Sequence, residues 1–91
     1  MAVVVHLNCP GHTLDQYDQF MESRGFLPGG PLPRGALFHF VVATDTGIQI
    51  TDVWESREIY EKVTRDKRID PPQDCDIRFS EVHNYLTAGR R

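Results

Sequence analysis

The sequence predicts a small α+β fold in the order β-α-β-β-α-β, a four-stranded antiparallel sheet with both helices on one face, the ferredoxin-like arrangement. Three observations predict it. Apolar, β-branched runs are bounded by turn residues, two stretches with helical spacing lie between them, and Asp45-Thr46-Gly47 is set to join the central strands as a hairpin.

Ala2–Leu7, with three consecutive valines, reads as the first strand, ended by Asn8, Pro10 and Gly11. Thr13 has an N-cap side chain and Gln16 stands three residues on, so a capping box opens a helix over Leu14–Arg24. Its inner stripe is Leu14, Tyr17, Phe20 and Met21. Gly25 is placed to end it in a left-handed conformation, with Phe26 folding back on the last turn. Phe26–Gly35 holds three prolines and three glycines and reads as an irregular connection. Ala36–Thr44 and Ile48–Trp54 form the hairpin strands. Ser56 caps a second helix, Arg57–Arg68, with Ile59, Tyr60 and Val63 inward and Pro71-Pro72 as its stop. Asp76–Thr87 alternates as the fourth strand, its register slipping once near Glu81. The domain spans 1–91, with 87–91 as a flexible tail.

Composition narrows the function classes. Ninety-one residues allow one domain, and the formal net charge of −3 leaves no electrostatic basis for nonspecific nucleic-acid or anionic-membrane binding. Met1–Leu7 lacks a basic leader region and its apolar run is too short to span a bilayer, so the expected location is cytoplasmic. Cys9 and Cys75 there read as two reduced thiols. His6, Cys9 and His12 have metal-ligand spacing but no evident fourth ligand, and Gly29-Gly30 sits among prolines, not in a phosphate loop. Neither a metal nor any other cofactor is expected.

Along the second strand, Leu37, Val41 and Ala43 point one way while Phe38, Phe40 and Val42 point the other, so both sheet faces are apolar there. Two helices cover only one face. The uncovered one calls for a second copy, giving a homodimer that also adds to the core of a small domain.

Gly35-Ala-Leu-Phe-His39, Asp45-Thr-Gly47, Asp52-Val-Trp-Glu-Ser56 and Val82-His-Asn-Tyr-Leu86 together resemble the dimeric α+β barrel superfamily, which includes antibiotic-biosynthesis monooxygenase-like and stress-responsive barrel proteins. The resemblance covers nearly the whole chain and implies the fold and a dimer. Characterised members include cofactor-free monooxygenases, polyketide cyclases, isomerising and dismutating enzymes and haem-degrading enzymes, so the fold does not choose among chemistries. It implies a small-molecule pocket between sheet and helices with polar residues supplied by the strands, which directs attention to His6, His39, Asp52, Trp54, His83 and Tyr85.

His39 interrupts an apolar strand, where its ring needs a hydrogen-bond partner or a cavity. It reads as a general acid/base in a semi-apolar pocket or as a structural histidine bonded to Asp52 or Tyr85. Asp52 shares a face with Ile48, Ile50 and Trp54; as a cross-strand neighbour of His39 it would orient the ring, and otherwise it accepts from loop backbone at a strand end. His83 and Tyr85, two apart on a strand, share a face and would polarise a substrate oxygen, unless His83 lies in a dimer interface or at a wet strand end. Trp54 reads as pocket wall or core plug, and His6, Phe38 and Phe79 join it as substrate-contacting residues.

These residues suit a cofactor-independent enzyme, a cyclase, dehydratase or isomerase acting on a carbonyl-rich, polyketide-like intermediate. A cofactor-free monooxygenase of a dihydroxyaromatic, resting more on Asn84, Trp54 and Tyr85, is the alternative, followed by a non-catalytic metabolite-binding accessory protein. Haem degradation is disfavoured because neither predicted helix contains a histidine to serve as axial ligand.

Overall fold

A computed structural model describes residues 1–86, and the tail expected over 87–91 lies outside the described residues. The elements run β1 (Val3–Pro10), α1 (Leu14–Ser23), β2 (Ala36–Ala43), β3 (Gly47–Trp54), α2 (Arg57–Asp66) and β4 (Asp76–Glu81). The strands pair antiparallel in the order β2-β3-β1-β4, the ferredoxin-like α+β arrangement. No helix among the described residues is long and apolar enough to cross a membrane.

Local chemistry accounts for the helix ends. Thr13 and Gln16 make the reciprocal capping box, and Ser56 accepts from the Ile59 amide. Gly25 adopts a positive φ of 84° while the Phe26 amide donates back to Met21, closing α1 as its glycine suggested. α2 stops at Asp66, before Pro71: Arg68 turns left-handed at φ 57° and the Ile69 amide donates to the Thr64 carbonyl. The Arg24 guanidinium donates to the Arg68 carbonyl at 2.9 Å, joining the C-terminal ends of both helices.

β1 is longer than its sequence suggests. Asn8 does not end it, because it pairs with Gln49 on one side and Asp76 on the other. β4 is shorter. Its last partner is Val3, the first residue of β1, and beyond the Val82 amide's bond to the Ala2 carbonyl no paired backbone extends it among the described residues, so the strand expected to run on toward Thr87 stops at Glu81.

The helix-facing side of the sheet forms two contiguous apolar clusters. Val3, Val5 and Trp54 pack with Tyr60 of α2, and Leu7, Cys9 and Ile48 pack with Tyr17 of α1. Gly35 lies against this core with φ 94°, where a Cβ would stand 2.3 Å from the Ile59 Cγ2 atom. A bulge at the start of β2 takes Leu37 out of the expected alternation, so Ala36 packs inward while Phe38 pairs opposite Val53 and stays largely exposed.

The two cysteines are not free. Cys9 and Cys75 form a disulfide, because the β1–β4 register that pairs Asn8 with Asp76 sets these flanking residues opposite one another, with Cα atoms 4.4 Å apart. A bridge across a sequence separation of 66 residues restricts the unfolded chain and adds about 4 kcal/mol of stability on chain-entropy grounds.

Candidate functional site

α1 lies over the sheet without burying any residue, leaving Leu14 and Phe20 of its predicted inner stripe exposed. Between the two is a predominantly apolar cleft of about 890 Å³, with Tyr17, Met21, Phe26, Ile50 and Trp54 in its wall. The irregular segment from Leu27 to Pro33 borders it.

One polar chain crosses this apolar space. His39 on β2 stands directly opposite Asp52 on β3, and His39 Nδ1–H donates to Asp52 Oδ1. The other Asp52 oxygen accepts from the Trp54 indole N–H at 3.3 Å, and Tyr17 Oη–H donates to His39 Nε2. The Tyr17 and His39 rings are nearly parallel, at 13°. Asp52 thereby sets the histidine tautomer: with Nδ1 donating, Nε2 is the acceptor that faces Tyr17. Burial first, then the charges of Asp52 and Asp18, push the Tyr17 hydroxyl up from 10.0 to about 12.

Trp54 serves two purposes weighed as alternatives in the sequence. Its ring is buried edge-on against Tyr60, lines the cleft and ties down Asp52. Tyr60 also lines the cleft; only 4% exposed, its hydroxyl has no hydrogen-bond partner among the described residues, and burial with the nearby Asp52 and Asp70 charges pushes its ionisation far up.

Most of the other predicted site residues lie elsewhere. His6 falls between Val5 and Leu7, which face the helices, so strand alternation turns it to the opposite sheet face. There it accepts from Gln49 Nε2–H at 2.6 Å and donates to Thr51 Oγ1 at 3.2 Å. His83 and Tyr85 are exposed beyond the end of β4, the sheet edge opposite β2, and are not brought to His39. Phe38 stacks edge-on with Phe40 and does line the cleft, whereas Phe79 packs behind Tyr60 under the Arg57 guanidinium.

Tyr17 and Tyr60 were the residues that sequence reasoning assigned to packing alone. Each was the one polar-tipped side chain in its helix's inner stripe, a signal that its hydroxyl needed a destination. The chain matches no protein-family model, no curated protein and no solved structure.

Proposed function

We propose that this chain is a cofactor-independent acid/base enzyme of the dimeric α+β barrel type, a cyclase, dehydratase or isomerase acting on a carbonyl-rich, polyketide-like small molecule. The observation that carries the reading is the Tyr17–His39–Asp52 relay set in the wall of a predominantly apolar cleft. Tyr17 is too weak an acid to ionise by itself at neutral pH, and the relay removes the need. As a lone pair on Tyr17 Oη takes a proton from carbon adjacent to a substrate carbonyl, the Tyr17 proton passes to His39 Nε2 and the electron pair moves onto the carbonyl oxygen as an enolate. Tyr17 stays neutral throughout, and Asp52 stabilises the imidazolium. Reversal returns the proton to oxygen or to a different carbon, which is isomerisation; attack of the enolate on a second carbonyl is cyclisation.

Tyr60 contributes its ring to the cleft, not its hydroxyl. A buried hydroxyl without a partner loses about 1–3 kcal/mol relative to a satisfied one, and because its oxygen is closed off from the cleft surface that cost belongs to the fold and not to ligand binding. A largely aromatic and apolar wall carrying one polar relay favours a flat, conjugated molecule.

The dimer rests on the other face. Phe38, Phe40 and Val42 form an exposed apolar row, 55%, 41% and 40% accessible, and the adjacent polar groups of His6, Gln49 and Thr51 already satisfy one another. Covering that face with a second copy therefore buries apolar surface without stranding those polar groups.

Native mass spectrometry of protein taken from its own producer, followed by turnover of any recovered compound, tests the reading. A bound aromatic or polyketide-sized molecule converted by the native protein without oxygen uptake, and not by His39→Gln, is the expected result. Undiminished turnover by His39→Gln overturns the acid/base assignment, oxygen consumption moves the protein to the monooxygenases, and a ligand always recovered unchanged makes it a carrier.

A further inference from the structure

We propose that Cys9, His12, Asp74 and Cys75 form a divalent-metal site of the zinc type, available when the Cys9–Cys75 bridge is reduced. Four potential ligands from three parts of the chain converge here: the end of β1, the turn leading into α1, and the segment entering β4. His12 Nε2 stands 3.1 Å from both Asp74 carboxylate oxygens and 4.0 Å from Cys75 Sγ, and the donor atoms of these three residues lie within 4.8 Å of one another. Cys9 Sγ, bonded to Cys75 Sγ, completes the set. Tetrahedral zinc, with bonds of about 2.0–2.3 Å to nitrogen, oxygen and sulfur, needs donor atoms about 3–4 Å apart, so small side-chain shifts around one centre suffice once the sulfurs separate.

The donor set selects the metal. Two thiolates and an imidazole favour a borderline-soft ion over magnesium or calcium, and the exposed Asp74 provides the carboxylate. Cys9 is buried and Cys75 is the more accessible residue of the pair. A dithiol reductant attacks Cys75 Sγ, Cys9 leaves as a thiol, and the reductant's second thiol frees Cys75 while the reductant closes to its own disulfide. Metal binding then displaces one proton from each protein thiol. In a reducing compartment, such as the cytoplasm expected from the sequence, the site would hold metal; in an oxidising one the disulfide takes its place. Either state fastens the β1–α1 turn region to the start of β4.

Cobalt(II) titration of the full chain, reduced by a dithiol and desalted under argon, tests this through thiolate-to-cobalt charge-transfer and tetrahedral d–d absorption. One cobalt per chain in the reduced protein, none in the oxidised protein, and displacement by zinc are expected. His12→Ala and Asp74→Ala should each weaken binding at least about tenfold, since even outer-sphere partners of metal ligands are worth that much. Absence of the charge-transfer band in the reduced chain, or unchanged affinity in both variants, overturns the site. Should reduction unfold the chain, recovery of its far-ultraviolet circular dichroism on adding zinc supports the proposal and failure to recover rejects it.

Discussion

His39 and Asp52 stand opposite each other on adjacent strands, thirteen residues apart in the chain, and the carboxylate that receives the histidine N–H also receives the Trp54 indole N–H. Two donors on two oxygens hold Asp52 in a single orientation. The histidine's tautomer is consequently a property of the hairpin itself, independent of any ligand.

Replacing Asp52 separates orientation from bulk. Asp52→Asn retains the shape but introduces an amide that cannot accept at both oxygen positions, so turnover should fall by about 10²–10⁴, the range typical of a disabled acid/base partner, with KM little changed. Asp52→Ala should also destabilise the fold by about 1–3 kcal/mol by leaving the His39 and Trp54 N–H groups unpaired. Steady-state kinetics and urea melts measure the two effects separately.

The Tyr17 hydroxyl sets an alkaline limit. Its folded-state value of about 12 lies above the ordinary 10.0, so its contribution to stability is complete below pH 10 and is lost as pH rises toward 12. Denaturant melts across that window should show a shallower decline for Tyr17→Phe than for the native chain. The native-minus-variant phenolate absorbance should rise with its midpoint near 12; a midpoint near 10 would show that the cleft does not shield this group.

Tyr60→Phe tests the unpartnered hydroxyl. Removing it should leave the melting temperature unchanged or slightly raised, because no hydrogen bond to a described residue is lost, while affinity for a ligand recovered from the cleft should change little, since the hydroxyl oxygen is closed off from the cleft surface. Calorimetric melting and ligand titration on the same pair of proteins provide the check.

Cys75→Ser should lower unfolding stability by up to about 4 kcal/mol in the presence of a chelator, with the chain still folded at low temperature. Chemical denaturation compares it with the oxidised native chain.

Phe40→Asp places a charge in the exposed apolar row of β2. Sedimentation equilibrium should find the native chain dimeric and the variant monomeric, with its helix content retained.

Much of the fold was legible because the relevant signals are local. The Thr13–Gln16 capping box, Gly25 and the Asp45-Thr46-Gly47 turn each act within a few residues, and strand alternation put Asp52 beside Trp54. The missed features depend on pairings between distant segments. The disulfide requires the β1–β4 register, and the early end of β4 follows from where β1 begins. His6 was misplaced for a simpler reason: Val4 and Val5 are both apolar, so composition alone did not reveal which side of β1 meets the helices. Tyr17 shares a stripe with Leu14 and Met21, and nothing local distinguishes a hydroxyl that meets His39 from one that meets water.

That α1 covers the sheet without burying a residue fixes its rank in the hierarchy of local unfolding. Lifting it away uncovers the Leu7–Cys9–Ile48 cluster under Tyr17 but breaks no sheet ladder, so its amides should exchange with solvent before those of β1 and β3. A molecule seated in the cleft that Tyr17 and the sheet line would slow that exchange, and the helix's deuterium uptake becomes a direct gauge of occupancy, readable before the ligand is chemically identified.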